Sequence, residues 1–403
     1  MKIRNKICAG ALALVLSLSN IVASNAAGFR VIKNDNKYKL SAELALNYNK
    51  YYDTVIIVNT DKSFADGLSA SGLAGEVDAP ILLVSKDNID VDVLVAISKA
   101  DKAYIIGGTN AISKNVEDII KRHVSEVERI EGADRIETSY KVYCKIKLLK
   151  KEYGGTIDDV YLVNGWKGEA DAMSIAHTAF VYENPVILTN GKTFALDAKH
   201  FNEVYCIGGN AVIDESLVKA TGAIRLGGSD RFETNKQILA RFHTDDKEFY
   251  VVNGWSLTEP LLLASSIGYE SAVMFADNNS DKSMIHCAND ITLVGNVSNK
   301  IANDIMQYNN VSQERKNAVT QAYMWSTSNV SKKEVAELLS YDGFSSSDIN
   351  YAMNILKWDF NMNCLRSARM WINECNCSYK QARELLKESG YTVNEIEYAM
   401  KNI

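Results

Sequence analysis

Short runs of uninterrupted apolar residues alternate with longer segments of helical spacing through most of this chain. Val55-Ile-Ile-Val-Asn59 leads through a polar loop into a small-residue helix over 65–74. Pro80-Ile-Leu-Leu-Val84, a helical pattern over 91–100, Ala103-Tyr-Ile-Ile106 and a helix over about 111–123 follow. A last strand at 126–130 enters a tight turn and a long amphipathic helix over 137–151. The series repeats from Val160-Tyr-Leu-Val-Asn164, with Pro185-Val-Ile-Leu188 and Val204-Tyr-Cys-Ile207. It starts again at Tyr250-Val-Val-Asn253, with Ala272-Val-Met-Phe275 and Ile291-Thr-Leu-Val294. Strands that are apolar at every position must be covered on both faces, which predicts parallel sheets in α/β modules of Rossmann or flavodoxin type. Asn59, Asn164 and Asn253 then fall at the carboxyl ends of strands, where such sheets collect functional groups.

From about Gln313 the pattern is helical throughout, with a shorter repeat. Trp325, Glu337-Leu-Leu339, Gly343-Phe344 and Tyr351-Ala-Met353 recur as Trp371, Glu384-Leu-Leu386, Gly390-Tyr391 and Tyr398-Ala-Met400. Ser331-x-x-Glu334, Ser378-x-x-Gln381 and Thr392-x-x-Glu395 are capping boxes that start helices, and Gly343 and Gly390 suit the left-handed residue that ends them. Two three-helix units joined at 357–361 are expected. Trp325, Trp358 and Trp371 read as core residues.

One polar frame punctuates the apolar pattern. Arg129-Ile-Glu-Gly-Ala-Asp134-Arg135-Ile-Glu-Thr138 returns as Arg225-Leu-Gly-Gly-Ser-Asp230-Arg231-Phe-Glu-Thr234, 96 positions on, so the chain is an array of domain-sized repeats. A degenerate copy at Asn36-Lys-Tyr-Lys-Leu-Ser41 keeps the helix start but not the Asp-Arg pair. Asp134 and Asp230 can cap the helix that follows, while Arg135 and Arg231 can offer forked hydrogen bonds to a carboxylate, a phosphate or the neighbouring module. Asp66 and Asp171 begin matching Ala-Asp helices, where a carboxylate favours the helix dipole. Pro260 replaces them in the third module, so a role for that carboxylate is expected to be missing there.

Composition narrows the function. Apolar content of 47% and charged content of 23% are globular values, and a net charge of −6 argues against non-specific nucleic-acid binding. Met1 to Lys6 is basic, an apolar run extends to Ala23, and Ser24-Asn-Ala-Ala27 offers small residues, so 1–27 reads as an export signal cut after Ala26 or Ala27. Cys8 lies inside the apolar run, not at its end, so a lipid-modified N-terminus is not expected. No later stretch is long enough to span a bilayer. Removing the signal leaves six scattered cysteines, and no His follows His286, so Cys364, Cys375 and Cys377 lack the fourth ligand of a structural zinc site. The five histidines form no nucleophile–base set. Gly107-Gly108 and Gly208-Gly209 lack the rest of a dinucleotide fingerprint, so these are tight strand-to-helix turns. No catalytic residues, cofactor or metal are expected.

Ala65-Asp-Gly-Leu-Ser69, Ala79-Pro-Ile-Leu-Leu83, Ile105-Ile-Gly-Gly108 and the Asp134-Arg135 frame, with their second copies, resemble the clostridial cell-wall-binding repeat family (type 2) over residues of about 30 to 310. Ile136 and Phe232 stand where that family has Tyr. The resemblance implies three modules in a pseudo-threefold triangle, at 28–135, 136–231 and 232–311. It also implies non-covalent attachment to an anionic cell-wall polysaccharide, with Arg129, Asp134, Arg135, Thr138, Arg225, Asp230, Arg231, Thr234, Asp66 and Asp171 as candidate polymer contacts. Residues 312–403 resemble the helical repeats of host-cell-surface-exposed, superinfection-exclusion lipoproteins. The expected whole is a secreted wall protein displaying a small helical effector, with phage exclusion or adhesion as its possible task and other surface-layer proteins as possible partners. A wall-remodelling hydrolase and a structural surface-layer component are the alternatives.

Overall fold

A computed structural model describes residues 29–403 other than 34, 49, 50, 62 and 63; the export signal expected over 1–27 lies outside them. Three four-stranded parallel sheets are built on one plan. In the first, β2 (Thr54–Val58), β3 (Ile81–Leu83), β4 (Lys102–Ile106) and β5 (Glu126–Ile130) lie in the order β3-β2-β4-β5. In the second, β6 (Asp159–Asn164), β7 (Val186–Thr189), β8 (Glu203–Ile207) and β9 (Ile224–Leu226) lie in the order β7-β6-β8-β9. The third contains β10 (Glu248–Asn253), β11 (Ser271–Ala276) and β12 (Asp290–Val294), and its fourth strand is β1 (Phe29–Ile32), from the start of the chain.

That last pairing departs from the chain-order division, which puts residues 28–33 in the first module. β1 lies parallel to β12, with Phe29 opposite Ile291 and Ile32 opposite Val294, in the place that β5 and β9 occupy in their own sheets. After β12 the chain enters helix and supplies no further strand, so the third sheet takes its edge from the first residues described. The ring of modules thereby closes head to tail.

Period-two alternation explains the apolar strands. Ile56 and Val58 enter one large core cluster while Val55 and Ile57 enter another. Tyr161 and Val163 join the same large cluster, whereas Val160 and Leu162 face a separate one. Val252 joins it from the third sheet. One continuous apolar interior therefore runs through all three modules, with a satellite core outside each sheet.

The modules interlock by strand–turn–helix arms. Helices α1 (Lys37–Tyr48), α5 (Arg135–Glu152) and α8 (Arg231–Phe242) each follow the edge strand of one sheet and pack on the next module, against β3, β7 and β11 respectively. At the same position in each helix a polar side chain accepts a hydrogen bond from that strand's backbone: Ser41 Oγ from Leu83 N at 3.2 Å, Ser139 Oγ from Leu188 N at 2.9 Å, and Asn235 Oδ1 from Phe275 N at 2.8 Å. Around the centre, α2 (Ala70–Glu76) and α9 (Thr258–Ala264) pack on α6 (Glu169–Val181). Three matching seams give the pseudo-threefold ring.

α3 (Val91–Ile97) joins β3 to β4, α4 (Lys114–Ile120) joins β4 to β5, α7 (Glu215–Thr221) joins β8 to β9, and α10 (Asn299–Asn309) follows β12. The rest is helical. α11 (Gln313–Ser326), α12 (Lys332–Tyr341) and α13 (Ser346–Ile355) form one unit; α14 (Phe360–Arg369), a π-helical turn at Met370–Glu374, α15 (Tyr379–Glu388) and α16 (Val393–Asn402) form the other. All three capping boxes close, and Gly343 and Gly390 both adopt φ of 89°. The first unit shares the outer core of the third module, where Tyr323 packs with Met274 and Ile285. The second has its own core around Leu365, Leu386 and Ile396. It is tied back to the second module by Arg366 Nη2 to Arg225 O at 2.6 Å and by the Arg369–Glu215 ion pair at 2.5 Å. Trp325, Trp358 and Trp371 pack against these cores. No described helix is long and apolar enough to cross a membrane, and the six described cysteines are free thiols.

Candidate functional site at the module seams

The Asp-Arg turn works as a cap and a throw. Asp134 accepts from Glu137 N at 2.9 Å, and Asp230 accepts from Phe232 N and Glu233 N at 2.9 Å each, which starts α5 and α8 at the following arginine. Being first in its helix, that arginine projects onto the next module. Arg135 donates from Nη1 to Gly165 O at 2.6 Å, and its guanidinium lies 4.6 Å over the ring of Trp166. Arg231 repeats this, with Nη1 to Gly254 O at 3.0 Å and the guanidinium 4.4 Å over Trp255.

Both indoles are held yet open to solvent, Trp166 at 57% and Trp255 at 63% exposed. The strand-end asparagines aim them: Asn164 Oδ1 accepts from Trp166 N at 2.9 Å, and Asn253 Oδ1 from Trp255 N at 3.1 Å. Glycine separates Asn from Trp because the arm crosses there. A Cβ on Gly165 would stand 3.3 Å from Arg135 Cδ, and one on Gly254 would run into the ring of Phe232. These two tryptophans were missed in the sequence, although Asn-Gly-Trp recurs at 164–166 and 253–255.

The third seam is built otherwise. Asn36 caps α1 from the Asp position, accepting from Tyr38 N at 3.0 Å, but Lys37 takes the arginine's place and Asp61 the tryptophan's. Lys37 Nζ lies 2.8 Å from Asp61 and donates to Thr60 at 3.2 Å, and the Tyr38 hydroxyl also binds Asp61. Burial opposes ionisation of Asp61, but Lys37 and Tyr38 outweigh it and hold its pKa below the usual carboxylate value. This seam is an ion-paired latch with no indole.

The remaining candidates lie behind these arms. Thr138 Oγ1 accepts from Gly132 N at 3.0 Å, Thr234 Oγ1 from Gly228 N at 3.3 Å, and the two hydroxyls bond Asp66 and Asp171 respectively. Burial raises both carboxyls, Asp171 to about 6, against the opposing pull of Thr234 and Arg231. Each carboxylate occupies the space that a Cβ would need on the first glycine of a Gly-Gly turn, Gly107 or Gly208. In the third module Pro260 and Leu40 replace the Asp and Thr, but the Glu259 carboxylate occupies the same space beside Gly295. The expectation that this module lacks the carboxylate is therefore corrected: it arrives from one residue earlier. Arg129 and Arg225 turn inward. Arg129 donates to Gly107 O at 2.7 Å and Ile112 O at 3.0 Å; Arg225, 4% exposed, donates to Gly208 O at 2.9 Å and Ile213 O at 3.0 Å, bracing the Gly-Gly loops.

Two stretches, 32–117 and 129–218, match the family model Cell wall binding domain 2, and each takes in one arm helix and the first three strands of the sheet it packs on, ending before the edge strand β5 or β9. These two stretches, under half of the chain together, are similar to the repeats of that family. The chain is 25% identical over 313 residues to the N-acetylmuramoyl-L-alanine amidase LytC of Bacillus subtilis, covering 73% of this chain and 61% of that protein. It is 29% identical over 248 residues to the amidase enhancer of the same organism, covering 60% of this chain and 34% of that one. The chain thus spans less than two thirds of either relative. Among solved structures, Cwp6 from Clostridium difficile shares the fold, with a TM-score of 0.64 and 22% identity over 73% of this chain and 51% of its own.

Proposed function

We propose that the protein is an exported surface protein held on an anionic cell-wall polysaccharide through its two guanidinium–indole seams, and that the ring carries the helical pair as an effector. The observation that carries this reading is the repeated arrangement at Arg135–Trp166 and Arg231–Trp255: a half-open aromatic face with a cation fixed against it, presented twice, the first time within a stretch that matches a wall-binding family. An indole packs against the C–H face of a sugar, and an adjacent guanidinium attracts its acidic substituents. With a net charge of −6 on the chain, attraction to an anionic polymer must be local to such seams. Two weak sites on one rigid ring act together through effective concentration. Asp134, Asp230, Thr138, Thr234, Asp66 and Asp171 are positioning residues in this proposal, and Arg129 and Arg225 brace the loops behind them.

Sedimentation with purified walls tests it. The Arg135→Ala/Arg231→Ala double variant should lose most wall retention while wild-type protein stays bound; equal retention of the two would overturn the seam reading. The amidase names of the Bacillus subtilis relatives favour hydrolysis as the second reading. Clearing of wall-containing gels by the purified chain would decide for it.

A further inference from the structure

The third module differs from the others in one loop. From the turn glycine to the cap of the next helix there are six steps in the first two modules, Gly107 to Ser113 and Gly208 to Asp214, but only three in the third, Gly295 to Ser298. In the longer loops a carbonyl folds down onto the strand-end asparagine: Asn59 Nδ2 donates to Ala111 O at 2.7 Å, and Asn164 Nδ2 to Val212 O at 2.6 Å. The short loop brings only Asn296 O to within 3.5 Å of Asn253 Nδ2. The space left is a cleft of about 340 Å³ bordered by Asn253, Trp255, Asp277, Asn278, Asn296 and Ser298. That volume is at the small end of ligand sites, which run roughly 300–1,000 Å³.

We infer that this cleft is a subsite for one uncharged pyranose residue. Trp255 is fixed by Arg231 over its ring, by the edge of Phe232 at 5.7 Å, and by its own Nε1 donating to Asp277 at 3.1 Å. An exposed ring already immobilised has little freedom left to lose on stacking against a sugar. Side-chain amides carry a donor and an acceptor side by side, the pattern that neighbouring hydroxyls need. No Lys or Arg is among the described residues bordering the cleft; Lys300, which donates to Asn278 O at 2.8 Å from behind it, and Lys282 are both paired with Asp304, at 2.9 and 3.4 Å. Burial disfavours the Asp277 carboxylate, but N–H groups of Asn279, Ser280 and Trp255, with the charge of Lys282, outweigh this and hold its pKa below the usual carboxylate value. With amides and one carboxylate as its polar lining, the cleft favours hydroxyls over carboxylate or phosphate. This deepens the wall-binding reading on which it rests: the neutral sugar of the polymer is read here, beside the cation of the Arg231 seam.

The test titrates the full chain with methyl glycosides of glucose, mannose, N-acetylglucosamine and N-acetylgalactosamine, following the indole N–H resonances, with Trp255→Phe to assign the Trp255 signal. At least one glycoside should shift that signal saturably. Asn278→Ala should weaken its binding tenfold or more, and three residues inserted after Gly295 should abolish it while the Trp166 signal stays in place. No response from any glycoside, or a response that survives the insertion, would overturn the inference. So would a uronate binding as tightly as its neutral parent. Wall sedimentation of the same sample separates the two ideas. Retention without a glycoside response refutes the cleft alone, and a glycoside response without retention refutes wall attachment alone.

Discussion

Adding a single methyl group to Gly75 tests whether the modules truly share their interior. This glycine lies on α2 of the first module, where the helix crosses α6 of the second. A Cβ there would stand 2.8 Å from the carbonyl carbon and 2.9 Å from the Cα of Phe180, and closer still to the carbonyl oxygen. Ordinary carbon contacts lie at roughly 3.5–4.0 Å, so the helices must part by about 1 Å. The atoms in the way are backbone and cannot rotate aside. Phe180 is itself 1% exposed and stacks on Tyr269 of the third module at 5.8 Å, so the displacement reaches all three bodies. Overpacking costs about 1–3 kcal/mol, and the gain from replacing a helical Gly with Ala recovers roughly 0.5–1 kcal/mol. Gly75→Ala should therefore destabilise the protein by about 1–2 kcal/mol or more in equilibrium urea unfolding. Gly67→Ala is the control: its new atom would meet Leu261 of the third module at an ordinary 3.4 Å and should change stability by no more than about 0.5 kcal/mol. A Gly75→Ala protein as stable as wild type, or two variants equally weakened, would refute the shared interior.

Further outcomes follow from the same contacts. His177 is fully buried; burial first, and His243 second, lower its pKa from 6.5 to about 4. The unfolded chain therefore takes up this proton before the folded one. Stability should hold above pH 6.5 and fall as the pH drops towards 4, by at most about 3 kcal/mol, and His177→Gln should flatten that slope in pH-dependent urea titrations. Ser139→Ala strips the acceptor from Leu188 N, a buried donor at the first seam, and should cost about 1–3 kcal/mol in the same unfolding assay. Arg366→Met removes the bond to Arg225 O, so amide hydrogen exchange should quicken across α14, α15 and α16 while wall retention is unchanged.

Much of this architecture can be read from the residues. The both-faced strands announce parallel sheets, and the recurring Asp-Arg frame marks where each arm begins. The capping boxes and Gly343 and Gly390 place the helical boundaries. What escaped depends on contacts between distant parts of the chain. Nothing in Phe29-Arg-Val-Ile32 says that its partner is Ile291 to Val294, because a strand's periodicity carries no address. Arg129 and Arg135 stand in one motif with equal apparent claim to a ligand. Only the direction of the backbone separates them: a strand arginine folds back on its own loop, while a first-turn helix arginine crosses the seam. Glu259 was overlooked because it restores a carboxylate out of register. Trp166 and Trp255 were overlooked because exposed aromatics have no periodicity to betray them; the repeated Asn-Gly-Trp was the available signal.

Wall attachment through the seams is tested most directly by removing both indoles from the full chain. Trp166→Ala/Trp255→Ala leaves the buried interior intact, since both rings are more than half exposed, and truncating an aromatic anchor costs about 2 kcal/mol or more. In sedimentation with purified wall polysaccharide, the double variant should bind at least about tenfold more weakly than wild type, with an unchanged unfolding transition. Undiminished binding by a correctly folded double variant would contradict the account.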